Sequence, residues 1–243
     1  MFFQERLAEV DAHLELLEAM ELSAQGGAPR FERVSTSITG RQQKILYSTV
    51  YLQLYNLVEA TMSRCIEAVA DAASGKGGGK SWLPVELVPE LRKEWVRSVA
   101  RTHTDLNFEN RLISTMGLVD LLVSSLPIPP FEIQKGGGGN WDDKTIETMS
   151  RRLGFRLKLS SAVMTRVKEK VRNDLGPIGL VKALRNELAH GGISFVECAG
   201  EADARALRDI RNVTSAYMEG VLRSFIRYIK NIEFVVEGKR VAV

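Results

Sequence analysis

Cysteine is scarce in this chain of 243 residues. Cys65 and Cys198 lie far apart and make no metal-ligand spacing, so a reduced, cytoplasmic protein is the simple reading. Only seven prolines interrupt the chain, and long runs of 3.6-residue periodicity fill the space between them, which points to an all-α fold. Charge of one sign is not in excess. Against 33 Lys and Arg stand 30 Asp and Glu, a formal net charge of +3, too balanced to argue nucleic-acid binding from charge alone. No apolar run approaches the roughly 18 residues that span a membrane, and the N-terminus has a charged amphipathic segment in place of a signal peptide. No serine or cysteine nucleophile pairs with a histidine in a recognisable motif. Nor is there a zinc-ligand cluster or a grouping of carboxylates for magnesium, so no cofactor is expected.

What is present is helical pattern. Helices are expected over residues 3–22, 40–73, 177–190 and 202–231, forming an up-and-down bundle in a single domain spanning 1–243. Residues 75–160 read as an inserted helical layer, with helices over 84–104 and 107–123 and another, capped by Asn140 or Asp142, ending at Gly154. The glycines at 136–139 read as a loop. Ile193 to Val196 is expected to be briefly extended, and Phe234 to Val241 to form a short strand or hairpin.

Histidine is rarer still than proline: there are three, and one, His190, lies in the run Leu184-Arg185-Asn186-Glu187-Leu188-Ala189-His190-Gly191-Gly192. Pro177 suits the first turn of that helix and the glycine pair its end. On a helical wheel Val181, Leu184 and Leu188 form an apolar stripe with Ile178 at its edge. Arg185, Lys182, Asn186 and His190 share a neighbouring arc about 140° wide. One helix thus packs into a core and carries a guanidinium, an amide and an imidazole on its flank. At the C-terminal end the helix dipole favours the protonated imidazole.

Arg-Asn-x-x-x-His at the end of a core helix resembles the motif of the HEPN superfamily, the nucleotide-binding and ribonuclease domains of higher eukaryotes and prokaryotes. Leu54-Tyr55-Asn56-Leu57-Val58-Glu59 is similar to the second core helix of stand-alone prokaryotic members of the toxin or defence type. Gly139-Asn140-Trp141-Asp142-Asp143-Lys144, with Arg152-Leu153-Gly154-Phe155, resembles the loop and helix that precede the motif. The resemblance covers roughly residues 40 to 230 and implies a HEPN-like helical bundle.

Glu59 falls inside the apolar arc of its helix, where a carboxylate is costly without a cation. It either holds Arg185 or His190 in place or forms an ordinary ion pair at the rim, and Asn56, one turn away, suits either arrangement. Arg166, Lys168, Lys170 and Arg172 make a basic cluster ahead of the motif, either a solvated face or a phosphate track. His13 reads as a surface residue. His103 reads as a capping or surface residue, with a second catalytic histidine as the alternative. Ser74-Gly75-Lys76-Gly77-Gly78-Gly79-Lys80-Ser81 lacks the first glycine of a phosphate loop and follows a helix, so it reads as a lysine-bearing loop.

A histidine, an arginine and polar orienters suit RNA cleavage by the substrate's own 2′-hydroxyl, without a metal. The expected catalytic set is Arg185, His190, Asn186 and Glu59; the expected substrate-binding set is Lys182, Asn56 and Arg172. One histidine does not easily serve both sides of a phosphate, and a two-fold dimer would bring two to one cleft. The family resemblance implies such a homodimer, with RNA as substrate and an antitoxin or defence-system protein as a further partner. Some family toxins carry a tyrosine two residues after the histidine, where a partner modifies them; here that residue is Gly192. The competing expectation is a HEPN module that binds RNA, a nucleotide or a partner without cleaving.

Overall fold

Phe3, Leu7, Val10, Leu14, Leu17 and Met20 recur at three- and four-residue steps and are all buried, on one face of helix α1 (Phe2–Ala24). A computed structural model provides the structure, which describes residues 2–24, 27, 29, 37–100, 107–135 and 140–240. Helix α2 (Gly40–Ser74) starts from a reciprocal cap: Gln42 N–H donates to Thr39 Oγ1 at 3.2 Å and Thr39 N–H donates to Gln42 Oε1 at 2.8 Å. It stops at Gly75, in the left-handed region at φ 69°, where a Cβ would lie 2.7 Å from the Gly79 carbonyl oxygen. There follow α3 (Pro89–Val99), α4 (Phe108–Val123), α5 (Asp143–Arg152), α6 (Ser161–Lys168), α7 (Pro177–Ala189), α8 (Phe195–Ala199) and α9 (Ala204–Lys230). The chain is all-α, as its periodicity implies, and no helix among the described residues is long and apolar enough to cross a membrane.

Three local expectations are corrected. Residues 84–104 do not make one helix: a 3₁₀ turn at Pro84–Glu86 precedes α3, which begins at Pro89, whose missing N–H suits a first turn. The segment from Ile193 is not extended, because Ser194 and Glu197 form a capping box that starts α8. No strand or hairpin forms over the described part of 234–241. Leu87 and Val235 make one antiparallel bridge, framed by Val88 N–H to Phe234 O at 2.9 Å and Val236 N–H to Glu86 O at 2.8 Å. A 3₁₀ turn at Glu237–Lys239 follows. His103, the glycines at 136–139 and Val241 lie outside the described residues.

The chain divides into two compact units, with α2 and α9 each contributing residues to both. The first comprises 1–61, 141–143 and 159–219. Its core joins Leu14 and Leu17 of α1, Tyr51, Leu54 and Tyr55 of α2, Leu180, Val181 and Leu184 of α7, Cys198 of α8 and Leu207 and Ile210 of α9. The second comprises 62–140, 144–158 and 220–243. Its aromatics pack edge-on and stacked, Phe155 lying 4.9 Å from Phe225 and 4.4 Å from Tyr228 between ring centroids. Buried Glu94 in this unit accepts from Arg152 at 2.9 and 2.6 Å and also meets Arg97.

Candidate active site

Helix α7 carries the motif, and both its ends are fixed by the chain around it. At its start Gly176 packs so closely that an added Cβ would lie 2.1 Å from the Val167 carbonyl oxygen, so only glycine lets the end of α6 approach. At its finish Gly192 N–H donates to Glu187 O at 2.8 Å and Gly191 N–H donates to Leu188 O at 3.3 Å, the two bonds of a Schellman motif. Gly191 supplies the left-handed residue at φ 71°. The residue just before it, His190, is the C-cap: its N–H donates to Asn186 O at 3.0 Å, and its ring is exposed. Pro177, Ile178, Leu180, Val181 and Leu184 bury the opposite face, and Leu188 packs half-buried against the same core.

Arg185 leaves the helix flank half-buried and is gripped on three sides. Its guanidinium carbon sits 4.4 Å from the centroid of the Tyr55 ring. Nη1 donates to Asn186 Oδ1 at 2.9 Å, and Nη2 lies 3.7 Å from Glu59 Oε2. Tyr55 and Glu59 are one turn apart on α2, which is why a single guanidinium reaches both. Burial pushes the Tyr55 phenol up from its ordinary value, and Glu59 adds to the rise. The bond from the Trp141 amide and the charges of Arg185 and Lys182 act the other way. The phenol oxygen accepts that Trp141 N–H at 3.4 Å. Tyr55 is therefore a neutral platform, not a base.

Of the residues singled out from the sequence, Arg185, Asn186 and Glu59 are joined by these contacts. His190 follows Asn186 by one turn on α7, and among the described residues its ring has no hydrogen bond or ion pair. Asn56 is exposed on α2 beside Tyr55. Lys182 is ion-paired to Asp142, both side chains largely buried. Among the described residues Arg172 is not joined to the group by any contact: it donates to Cys198 O at 2.7 Å and Glu197 O at 3.2 Å, capping the end of α8. His13 is not a plain surface residue. Its Nδ1 meets Gln53 Oε1 at 3.0 Å, and its Nε2 is buried without a partner among the described residues.

Two contributors escaped the sequence reading. Tyr55 reads as one more core aromatic, although its four-residue spacing from Glu59 is the available signal. Asp142 reads as a helix cap, and nothing local marks it as the counter-ion of a lysine 40 residues on. Among the described residues no three His, Cys, Asp or Glu side chains come together as a metal-binding group.

The arrangement offers a planar cation preorganised for phosphate, with an exposed imidazole at the end of the same helix. No curated protein and no solved structure matches the chain significantly. The family model described as HEPN_MAE_28990:/-like HEPN matches residues 2–234, nearly the whole chain. Membership of such a family fits a nuclease or an RNA-binding module. The chain belongs to the HEPN_MAE_28990-like HEPN family.

Proposed function

We propose that this protein is a metal-independent endoribonuclease of a toxin or anti-phage defence system, acting in the cytoplasm as a homodimer. The observation that carries the reading is the fixed guanidinium of Arg185, held by Tyr55, Asn186 and Glu59 on the helix that ends in an exposed His190. The RNA 2′-oxygen attacks phosphorus and the 5′-oxygen leaves. His190 takes the 2′-proton or gives a proton to the departing oxygen. Arg185 binds the phosphorane oxygens through paired N–H groups, supplying the positive charge the transition state requires. The products are a 2′,3′-cyclic phosphate and a 5′-hydroxyl.

In-line attack sets the attacking and leaving oxygens on opposite sides of phosphorus, so one imidazole cannot serve both. A two-fold pairing of motif helices supplies the second. Facing copies of Arg185 repel, and Glu59 in each chain together with bound phosphate offsets that cost, so RNA tightens the dimer by linkage.

The test is cleavage of purified RNA in EDTA, with analysis of the ends, beside the His190→Ala protein. Cyclic or 3′-phosphate ends with EDTA present, lost in His190→Ala, are expected. A strict magnesium requirement with 3′-hydroxyl ends refutes the mechanism. Undiminished cleavage by folded His190→Ala removes the histidine from it.

A further inference from the structure

We propose a single-stranded RNA subsite in the groove between the first turn of α2 and the start of α8, with Phe195 as its base-stacking platform. The inference rests on the reading of RNA as the substrate. The groove is lined by Arg41, Lys44 and Ile45 from α2 and by Ser194, the cap of α8, with Phe195 and Val196 from its first turn. All lie in the first unit, and Phe195 follows His190 by five residues.

The groove combines an exposed aromatic with two cations. The Phe195 ring is 40% exposed, although its backbone is firmly held. Its carbonyl accepts a hydrogen bond from Ser48 Oγ, a fully buried side chain of α2, and the capping box of Ser194 and Glu197 fixes the turn before it. Ile193, two residues earlier, packs on the core. The fold thus uses a buried hydrogen bond and a cap to position a phenyl ring that it leaves two-fifths open to water. Ile45, 39% exposed, extends the apolar floor. Arg41 is exposed. Lys44 lies 4.0 Å from the carboxylate of Glu201, which is fully exposed, a solvated pairing that a phosphate displaces. A rigid ring beside two cations is the composition that single strands require: the base stacks and the flanking phosphates meet the charges. A duplex hides its bases from such a ring.

The experiment measures fluorescence anisotropy of a short labelled single-stranded RNA and a duplex of equal length, in the His190→Ala background so that the probe stays intact. Phe195→Ala should weaken single-strand binding about tenfold with an unchanged salt slope, and Phe195→Tyr should restore it. The double variant Arg41→Ala/Lys44→Ala should lower the slope of log K against log salt by about 1.4, two phosphate contacts at about 0.7 each. Thermal melts establish that each variant is folded. Single-strand affinity and slope unchanged in both variants, or no RNA binding by the parent, overturns the proposal. So does an affinity for duplex equal to that for single strand. The activity is scored separately with His190 intact. A protein that binds through Phe195 but does not cleave keeps the groove and loses the ribonuclease; cleavage with a KM indifferent to Phe195→Ala does the reverse.

Discussion

Arg185→Lys keeps the charge and removes the plane, and the structure sets what each loss is worth. The guanidinium lies 4.4 Å from the Tyr55 centroid, a half-buried cation–π contact worth about 1 kcal/mol, part of which an ammonium retains. The hydrogen bond to Asn186 Oδ1 at 2.9 Å adds about 1 kcal/mol. The contact with Glu59 at 3.7 Å joins side chains that are 33% and 37% exposed; it is worth under about 1 kcal/mol, and lysine can keep it. The stability loss should be about 1–2 kcal/mol, a fall of about 2–8 °C in Tm for a chain of this size. Catalysis should suffer more. Losing one of two charge-assisted bonds to the phosphorane costs about 1.5–3 kcal/mol, or about 10- to 150-fold in kcat/KM. Circular dichroism melts and steady-state cleavage of one RNA substrate measure the two effects. Tyr55→Phe is the control: it keeps the ring under Arg185 and removes the phenol oxygen that accepts the 3.4 Å bond from the Trp141 amide, so kcat/KM should stay near that of the parent. If Arg185→Lys melts lower but cleaves within twofold of the parent, the guanidinium is a structural clamp and the phosphate role assigned to it is refuted.

In the second unit, Glu94→Gln leaves Arg152 partly buried without its carboxylate; it should cost about 3 kcal/mol and lower Tm by about 6–12 °C, and an unchanged melt would show the pair to be dispensable. Gly176→Ala forces apart the Val167 carbonyl and the first turn of α7, so it should destabilise by more than about 1 kcal/mol in urea titration, and a neutral result would mean that the approach is not tight. Burial pushes the Cys65 thiol up to about 12. The fold therefore favours the protonated thiol: the stability this contributes is fully present below the unfolded thiol's value of about 8.5 and is lost as pH rises from there through about 12. Iodoacetamide at pH 8 should label Cys65 only as fast as the protein unfolds, and rapid labelling of the folded chain would contradict its burial.

The elements most legible in the sequence were those whose signals are local. The apolar steps of α1 and the glycine stop after His190 depend on residues within one or two turns, and the four core helices, α1, α2, α7 and α9, end within two residues of the positions their periodicity implied. The errors came where a short cap or a distant pairing outweighed local preference. Ile193, Phe195 and Val196 are β-branched or aromatic, yet Ser194 and Glu197 complete a capping box and the segment turns into α8. Phe234 to Val236 has strand-like composition, but its only bridge partner among the described residues is Leu87, far back in the chain, and one bridge does not make a sheet.

The same distinction governs which cations remain for a substrate. A sequence shows that a lysine or arginine is present but not what it is paired with, because the partner is set by tertiary contact. Arg172 belongs to a run that reads either as a solvated face or as a phosphate track, and its donors are taken up by the Glu197 and Cys198 carbonyls. Lys182 shares the arc of Arg185, yet it is paired to Asp142 in a largely buried contact. Moving either onto RNA means leaving polar groups of the protein unsatisfied, a cost that counts against binding. Arg41 and Lys44 drew no notice in the sequence, but one is exposed and the other, among the described residues, is tied only to a solvated carboxylate, so recruiting them costs little. A strand held at Arg185 and His190 therefore gains more by running past Phe195 towards the start of α2 than by following Arg172, and the salt slope of the Arg41→Ala/Lys44→Ala protein, set against that of Arg172→Ala, tells the two paths apart.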